Sequence, residues 1–166
     1  MDKQQVREFI NSPKNGLSEV KQVGSYTIQL AYQPKQLLKR KPENVNIENI
    51  EYFLITISDN GEEILTRFAG SKSAFNKMTT LLNFYMSDYI YLKDKEQKIK
   101  PQSCFQQATY GMADKTSLLV SFKIDETIKN SDAYIVIDEF GLKIGKQKFN
   151  INFNNIKKLS TIKFIE

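Results

Sequence analysis

Short segments with the two-residue periodicity of β-strands recur along most of the chain, and this feature most constrains the fold. Tyr26, Ile28, Leu30 and Tyr32 would share one strand face, because smaller or polar residues alternate with them. The predicted strands cover residues 22–33, 50–58, 62–70, 88–94, 104–109, 116–124, 133–139, 148–153 and 160–165. Since short turns join neighbouring strands, we expect antiparallel pairing.

One longer segment, residues 71–87, has helical periodicity instead. Its apolar residues recur at helical spacing and form one stripe, which consists of Phe75, Met78, Leu82, Tyr85 and Met86. The sequence therefore predicts a mainly β fold, either a β-sandwich or a strongly curved antiparallel sheet, with one packed α-helix at about 71–87. An α+β arrangement is the alternative.

The first 21 residues differ from the rest of the chain because they are mostly polar and contain turn signals. Two helical turns fit the first ten residues, Pro13 ends them, and Asn15-Gly16 predicts a turn. The length of 166 residues is typical of one domain. We therefore predict an N-terminal leader or tether at 1–21 and a single β-rich domain at 22–166.

The net charge of +5 is carried mainly by lysine, since the only arginines are Arg7, Arg40 and Arg67. Arginine is the side chain that binds phosphates and guanine edges with two parallel hydrogen bonds. The lysines also alternate with acids, as in residues 93–100. We therefore expect a solvated lysine-rich surface and no nucleic-acid partner.

The chain contains no histidine and a single cysteine, Cys104. It therefore lacks the commonest general base and the commonest metal ligand, and it cannot form an intramolecular disulfide. No apolar run in the sequence reaches the ~18 residues that a membrane-spanning helix needs. We predict no metal site and no cofactor.

Two spacings that some enzymes use occur without their usual context. Ser18 and Lys21 have the Ser-x-x-Lys spacing of certain acyl enzymes, yet they lie in the polar leader rather than at the start of a buried helix. Tyr91 and Lys95 have the Tyr-x-x-x-Lys spacing of short-chain reductases, yet the sequence has no glycine-rich dinucleotide turn. We interpret both as chance matches.

A glycine-containing segment and two acidic pairs also offer no complete catalytic motif. Residues 141–146 are one residue too short for a phosphate-binding loop and lack its Ser or Thr. The pairs Glu62-Glu63 and Asp138-Glu139 are interpreted as solvent-facing. Cys104 has no histidine to act as its base. The sequence therefore predicts no catalytic residue and a protein that is not an enzyme.

The remaining candidate site is aromatic. Tyr89 and Tyr91 would share one face of a predicted strand whose other face carries aliphatic residues. If the aliphatic face lies in the core, both tyrosines are exposed and form a binding patch with Phe105 or Tyr110. Tyrosine suits protein interfaces because it offers a large contact area at low entropy cost. The alternative is a sheet buried on both faces, with the phenol tips at its rim.

Motifs at both ends of the chain form a recognisable set. A polar spacer precedes the Pro13-Lys-Asn-Gly-Leu turn, a strand then ends in Tyr32-Gln-Pro, and the pair Leu37-Leu38 follows. The chain closes with a predicted hairpin at 137–153. Together these motifs resemble mature lipoproteins that are common in Bacteroidota.

The resemblance implies a protein of the cell envelope, located in the periplasm and anchored to the outer membrane. Its lipid would be carried by a cysteine before Asp2, and residues 1–21 would act as the tether. That cysteine is not in this sequence, so the anchor is inferred, and a cytoplasmic location is the alternative. One lysine-rich face would then lie near anionic lipid headgroups.

These features lead us to expect a non-enzymatic, envelope-associated binding or accessory domain that contacts other envelope proteins. Small β-sandwich lipoproteins of envelope-spanning secretion complexes are an analogy at the level of the fold. The alternative is a small-molecule binder with a cavity in a curved sheet. A third hypothesis, a hydrolase, requires two carboxyl groups roughly 5–10 Å apart in a cleft.

Overall fold

The computed structural model describes residues 1–38, 49–95, 97–107 and 113–162 and shows two antiparallel β-sheets with short helices. The strands are β1 (Ser18–Val23), β2 (Tyr26–Gln33), β3 (Ile50–Asp59), β4 (Ile90–Lys93), β5 (Lys98–Ile99), β6 (Ser103–Gln106), β7 (Thr116–Lys123), β8 (Tyr134–Ile137) and β9 (Gln147–Asn150). The α-helices are α1 (Lys3–Asn11), α2 (Lys72–Thr80), α3 (Glu126–Lys129) and α4 (Phe153–Thr161). No helix in these ranges is long and apolar enough to span a bilayer. The prediction of a mainly β fold is confirmed.

Sheet A contains five strands in the order β1-β2-β3-β7-β6, and sheet B contains four in the order β5-β4-β8-β9. All neighbouring strands are antiparallel, as the short turns predict. The chain crosses between the sheets three times, because β4 and β5 lie in sheet B, β6 and β7 in sheet A, and β8 and β9 in sheet B again. The two sheets are therefore interleaved along the sequence.

The inner face of sheet A supplies the centre of the hydrophobic core. Leu30 of β2 lies opposite Ile55 of β3, which lies opposite Leu118 of β7, and all three side chains are fully buried. Sheet B contributes Ile135 and Phe149 to the same core. Burying one such side chain contributes about 1.5–3 kcal/mol, so this shared core holds the two sheets together.

The predicted helix at about 71–87 is confirmed as α2, followed by a π turn at Leu81–Tyr85 and a 3-10 turn at Met86–Asp88. The Ser71 hydroxyl caps α2 by accepting a hydrogen bond from a backbone N–H in the first turn. The buried side chains of this segment recur every four residues and are Met78, Leu82 and Met86.

Residues 1–21 belong to the folded domain and do not form the separate leader expected from the sequence. Asp2 begins α1 with a capping box. Val6 and Ile10 are buried in the core, because residues four apart share one face of a helix. Leu17 is also fully buried. Few apolar residues anchor this segment in the core, so the sequence gives only a weak signal that it is part of the domain.

The same segment supplies β1, so the strand predicted at 22–33 is one arm of a hairpin. A two-residue turn at Gly24-Ser25 joins β1 to β2, and Gly24 has a positive φ of 59°. A Gly-Ser pair between alternating residues is itself a hairpin signal. β1 lies at the edge of sheet A, where polar side chains are tolerated. Its polar composition lacks the clear alternation by which a strand is predicted from sequence.

Hydrogen bonds join the N-terminal segment to the start of α4. The backbone N–H of Asn152 donates to the carbonyl of Gly16 at 2.9 Å, and the side-chain amide of Asn155 donates to the carbonyl of Asn15 at 2.7 Å. Gly16 has a positive φ of 63°, and a Cβ at this position would lie 2.9 Å from the Cβ of Asn152. The close approach of the two segments therefore requires glycine at position 16.

The strand predicted at 62–70 is wrong, although the turn before it is correct. Asn60 and Gly61 have positive φ angles of 48° and 79°. A single β-bridge follows this turn, and the chain then forms a 3-10 helix at Ile64–Phe68. The reason is that β3 already pairs with β2 on one side and with β7 on the other, which leaves no free edge.

The strand predicted at 148–153 is correct as far as Asn150, whereas residues 160–161, at the start of the strand predicted at 160–165, are helical. Strand β9 ends at Asn150, and the Asn152 side chain caps α4 by accepting from the N–H of Asn155 at 3.2 Å. The buried residues of α4 have a spacing of three and are Phe153, Ile156 and Leu159. Residues 160 and 161 end this helix, and residues 163–166 lie outside the described part of the chain.

We expect Gly16→Ala to destabilise the protein more than Gly24→Ala does. Both positions have positive φ, so each substitution should cost about 1–2 kcal/mol from backbone strain. Only Gly16 has a neighbour in the way of the new Cβ, because Gly24 has nothing within 4 Å. The added crowding should cost Gly16→Ala about 1–3 kcal/mol more. Urea unfolding measures both, and equal losses would show that the contact with Asn152 is unimportant.

Candidate functional site

The aromatic residues that the sequence singles out lie in different environments. Tyr91 is only 5% exposed, and Tyr89 is half-buried with its ring centre 6.4 Å from that of Phe140. Phe105 is 64% exposed on β6, and Tyr110 lies outside the described residues. The prediction that both tyrosines form an exposed patch is therefore wrong for Tyr91.

Tyr91 is buried because a lysine covers its ring on the outer face of sheet B. The Nζ of Lys98 lies 4.0 Å from the ring centre, at cation–π distance. The phenol donates a hydrogen bond to Asp138 at 3.4 Å. The alternative reading of the sequence, a sheet covered on both faces with the phenol tip at its rim, is correct for this residue.

Three other positions define an exposed aromatic surface in the described part of the chain. Phe84 is 76% exposed, Tyr85 is 54% exposed, and Phe105 is 64% exposed. Phe84 and Tyr85 lie in the π turn after α2, and β6 with Phe105 packs against this turn and the 3-10 turn that follows. We call these three residues the aromatic edge, because β6 is an outer strand of sheet A.

The π turn explains why Phe84 and Tyr85 face outward. Leu82 and Met86 are buried, and the two aromatic residues fall between them on the opposite side of the turn. Such turns are rare in proteins and frequently occur at functional sites. The apolar stripe predicted from the sequence includes Tyr85, and this hides the exposed surface. A strict spacing of four residues from Met78 selects Leu82 and Met86 and leaves Tyr85 outside the stripe.

A groove of about 450 Å³ lies beside the aromatic edge, between α2 and the start of β4. Its apolar lining includes Leu81, Tyr85 and Tyr89, and its charged lining residues are Lys77 and Asp88. Tyr89 therefore belongs to the candidate site as part of the lining of this groove. Tyr85 belongs both to this groove and to the aromatic edge, so the two adjoin each other.

The outer face of sheet B is a second distinctive surface. Its exposed lysines are Lys93, Lys98, Lys146 and Lys148. The Nζ of Lys148 lies 3.9 Å from the ring centre of Tyr134, and Lys146 pairs with Asp138 at 3.6 Å. We call these four lysines the lysine face. In two of them, Lys98 and Lys148, the ammonium group lies over an aromatic ring of the same face.

The enzyme-like spacings do not bring their residues together. In β1, Ser18 and Lys21 point to opposite faces of sheet A, because they are three residues apart in a strand. Ser18 accepts a hydrogen bond from Gln29 at 3.0 Å. Burial raises the pKa of the Cys104 thiol to about 11, which disfavours the reactive thiolate.

The glycine-containing segment 141–146 binds a carboxylate of its own chain. The Glu139 carboxylate accepts backbone hydrogen bonds from Gly141, Lys143 and Gly145 at 2.9, 2.7 and 2.7 Å. Burial alone would raise the pKa of this carboxyl, but these backbone N–H groups hold it below its usual value. Glu139 therefore fixes the loop and is not available as an acid for a substrate.

Two carboxylates, those of Glu51 and Glu126, converge on Lys129. The Nζ of Lys129 lies 4.0 Å from Glu51 and 3.9 Å from Glu126. Glu51 is buried and also accepts a hydrogen bond from the Tyr32 phenol at 2.9 Å. Lys157 also pairs with Glu126 at 3.4 Å, so two lysines match the two acids, and the cluster joins α3 to β3 and α4.

The five resolved pKa shifts of the described residues all move away from neutrality. Burial raises the pKa of Tyr26, Tyr32 and Cys104, a hydrogen bond to Tyr91 raises that of Lys146, and backbone N–H groups lower that of Glu139. General acids and bases work best when their pKa is close to the operating pH. These five groups are therefore not tuned for proton transfer near pH 7.

Within the described ranges, no three His, Cys, Asp or Glu side chains come together to hold a metal ion. No protein-family model, no curated protein and no solved structure matches the chain.

We expect Glu139→Gln to destabilise the protein at pH 7 and to do so less as the pH falls. The folded-state pKa of Glu139 is lowered, so its stabilisation is present above the unfolded pKa of about 4.3 and is lost as the pH falls through the folded pKa. Urea unfolding between pH 7 and pH 3 would measure this. Glu62→Gln is the control, because Glu62 is an exposed acid outside this loop. A Glu139 effect that does not change with pH would contradict the assignment.

Proposed function

We propose that the protein is a non-enzymatic binding domain and that it binds another protein at the aromatic edge. One observation carries this proposal: Phe84, Tyr85 and Phe105 are each more than half exposed and lie on adjoining segments. Large exposed apolar patches on soluble domains are typical of interaction sites. Aromatic residues are also enriched at the centres of protein interfaces.

The surroundings of the aromatic edge suit a protein partner better than a small ligand. The adjoining groove is mostly apolar, and its charged lining among the described residues consists of Lys77 and Asp88. A partner with an apolar strip would bury the three aromatic side chains and leave these charges at the rim, which is the usual layout of an interface. Phe105 would contribute most if it fills a pocket on the partner.

We further propose that the domain works in the cell envelope, close to a membrane. This part rests on the resemblance of both chain ends to Bacteroidota lipoproteins and on the lysine face. Lysines near an anionic leaflet contribute about 1 kcal/mol each to membrane association.

Photo-crosslinking in living cells tests the protein-binding proposal. A photoreactive amino acid at position 84 or 105 should yield adducts with one and the same partner protein. The matched control is position 20, because Val20 is 58% exposed on β1, at the opposite edge of sheet A. In the position 84 protein, Phe105→Ser should remove the adduct, since it takes away a central contact worth about 2 kcal/mol or more.

The identity of the cross-linked protein also distinguishes between the possible binding partners of the aromatic edge. Adducts with a second copy of this chain would mean self-association and would contradict binding to a different protein. Adducts of equal yield at positions 20 and 84, or none at 84 and 105, would rule out the aromatic edge as the binding surface.

Sedimentation with vesicles tests the lysine face. The protein should bind vesicles that contain anionic phosphatidylglycerol, and added salt should weaken this binding. Lys98→Gln with Lys148→Gln should reduce binding about tenfold or more, because each lysine contributes about 1 kcal/mol. Lys72→Gln with Lys123→Gln removes the same charge elsewhere on the surface. Equal losses in both double variants would mean that net charge, and not this face, determines binding.

A further inference from the structure

The outer face of sheet A forms the floor of a separate groove of about 460 Å³. Helix α1 borders it with Arg7 and Ile10, the segment after β2 borders it with Leu37, and the residue before β7, Lys115, lies on another side. The volume falls within the ~300–1,000 Å³ that small-molecule sites occupy. We call it the sheet A groove.

Two cross-strand rows of side chains form the floor of the sheet A groove. The polar row consists of Gln29, Thr56 and Ser117, which lie directly opposite one another on β2, β3 and β7. The apolar row consists of Ala31, Leu54 and Leu119, which lie opposite one another on the same strands. The rows are two residues apart, or about 7 Å along each strand. The floor is therefore polar on one side and apolar on the other.

The charged groups of the sheet A groove are all positive among the described residues. Arg7 and Lys115 line it, and no described Asp or Glu does. Both cations are exposed, and neither has an ion-pair partner in the described part of the chain. Arginine also forms two parallel hydrogen bonds with planar acid groups. The electrostatics of the groove therefore favour an anion.

A hydroxyl on the floor of the groove adds a specific polar contact. Ser117 is only 9% exposed, and it lines the groove as part of the polar row. Its neighbour Gln29 is held in place, since its side-chain amide donates to Ser18 at 3.0 Å. A ligand oxygen over the polar row would accept a hydrogen bond from the Ser117 hydroxyl, and a charged acceptor strengthens such a bond.

From these features we propose that the sheet A groove binds a small amphipathic organic anion. Its acid group pairs with Arg7 or Lys115 and accepts from Ser117. Its apolar part, a chain of several carbons, lies along the row that contains Leu54 and Leu119. This site is separate from the aromatic edge, so the two proposals succeed or fail independently.

Titration of the ¹⁵N-labelled full chain with octanoate tests the proposal, because octanoate combines an acid group with an apolar chain. Saturable shifts should occur at the backbone amides of Thr56, Ser117 and Leu119. Octanamide keeps the chain without the charge, and acetate keeps the charge without the chain. Each should bind at least about tenfold more weakly, since each loses an interaction of about 1.4 kcal/mol or more.

Charge variants then locate the acid group. Arg7→Gln and Lys115→Gln should each weaken octanoate binding about fivefold or more and leave octanamide binding unchanged, because each removes a charge-assisted contact with the acid group. Lys123→Gln is the matched control, since it removes one exposed charge at the other end of β7. Both lining cations are exposed, so the variants should fold normally, and their amide spectra would show it.

Three results would overturn the proposal. The first is the absence of shifts with octanoate at about 10 mM, a concentration well above the dissociation constant of even a weak site. The second is equal binding of octanoate and octanamide, which would exclude a role for the charge. The third is an equal loss in Lys123→Gln and in the two groove variants, which would indicate non-specific attraction.

Discussion

The central position of β3 in sheet A is the constraint on which the rest of the structure depends. β3 pairs with β2 along one edge and with β7 along the other, so no further strand can join it. The segment after Asn60-Gly61 must therefore leave the sheet, and the next two strands, β4 and β5, lie in sheet B. The inner face of β3 carries Phe53, Ile55 and Ile57, which are fully buried and need cover from the other layer. The helices and sheet B supply that cover.

The two edge strands of sheet A, β1 and β6, expose different side chains, and this difference favours β6 as an interaction surface. The β1 edge is mostly polar, with Val20 as its exposed apolar residue, and the turn before β1 is joined to α4 through the contact between Gly16 and Asn152. The β6 edge carries Phe105, which is 64% exposed and uncharged. Natural edge strands are usually covered, shortened or charged because open edges promote association. An exposed aromatic residue beside Phe84 therefore has a cost in solubility that a partner would offset.

The sequence correctly predicts long elements that are buried on one face. The alternation in β2 and the stripe through Met78 and Leu82 are such cases, since tertiary contacts reinforce the local pattern. The prediction fails where position in the fold overrides it. Residues 62–70 read as a strand but find no edge, and 160–161 extend a helix that the Asn152 cap begins. Of the candidate site, Phe105 and Tyr89 were predicted, whereas Phe84 depends on a π turn that no spacing in the sequence reveals.

The aromatic edge and the sheet A groove are neighbours on one cross-strand row. Ala31, Leu54 and Leu119 line the groove, and Phe105 of β6 lies directly opposite Leu119. An occupant of the groove that packs on Leu119 would therefore touch the residue that supports Phe105 from within the sheet. Thermodynamic linkage requires any such effect to be mutual: if the ligand strengthens partner binding by some factor, the partner strengthens ligand binding by the same factor. Because cross-strand neighbours interact by only about 0.2–1 kcal/mol, the coupling through this row should stay below about fivefold.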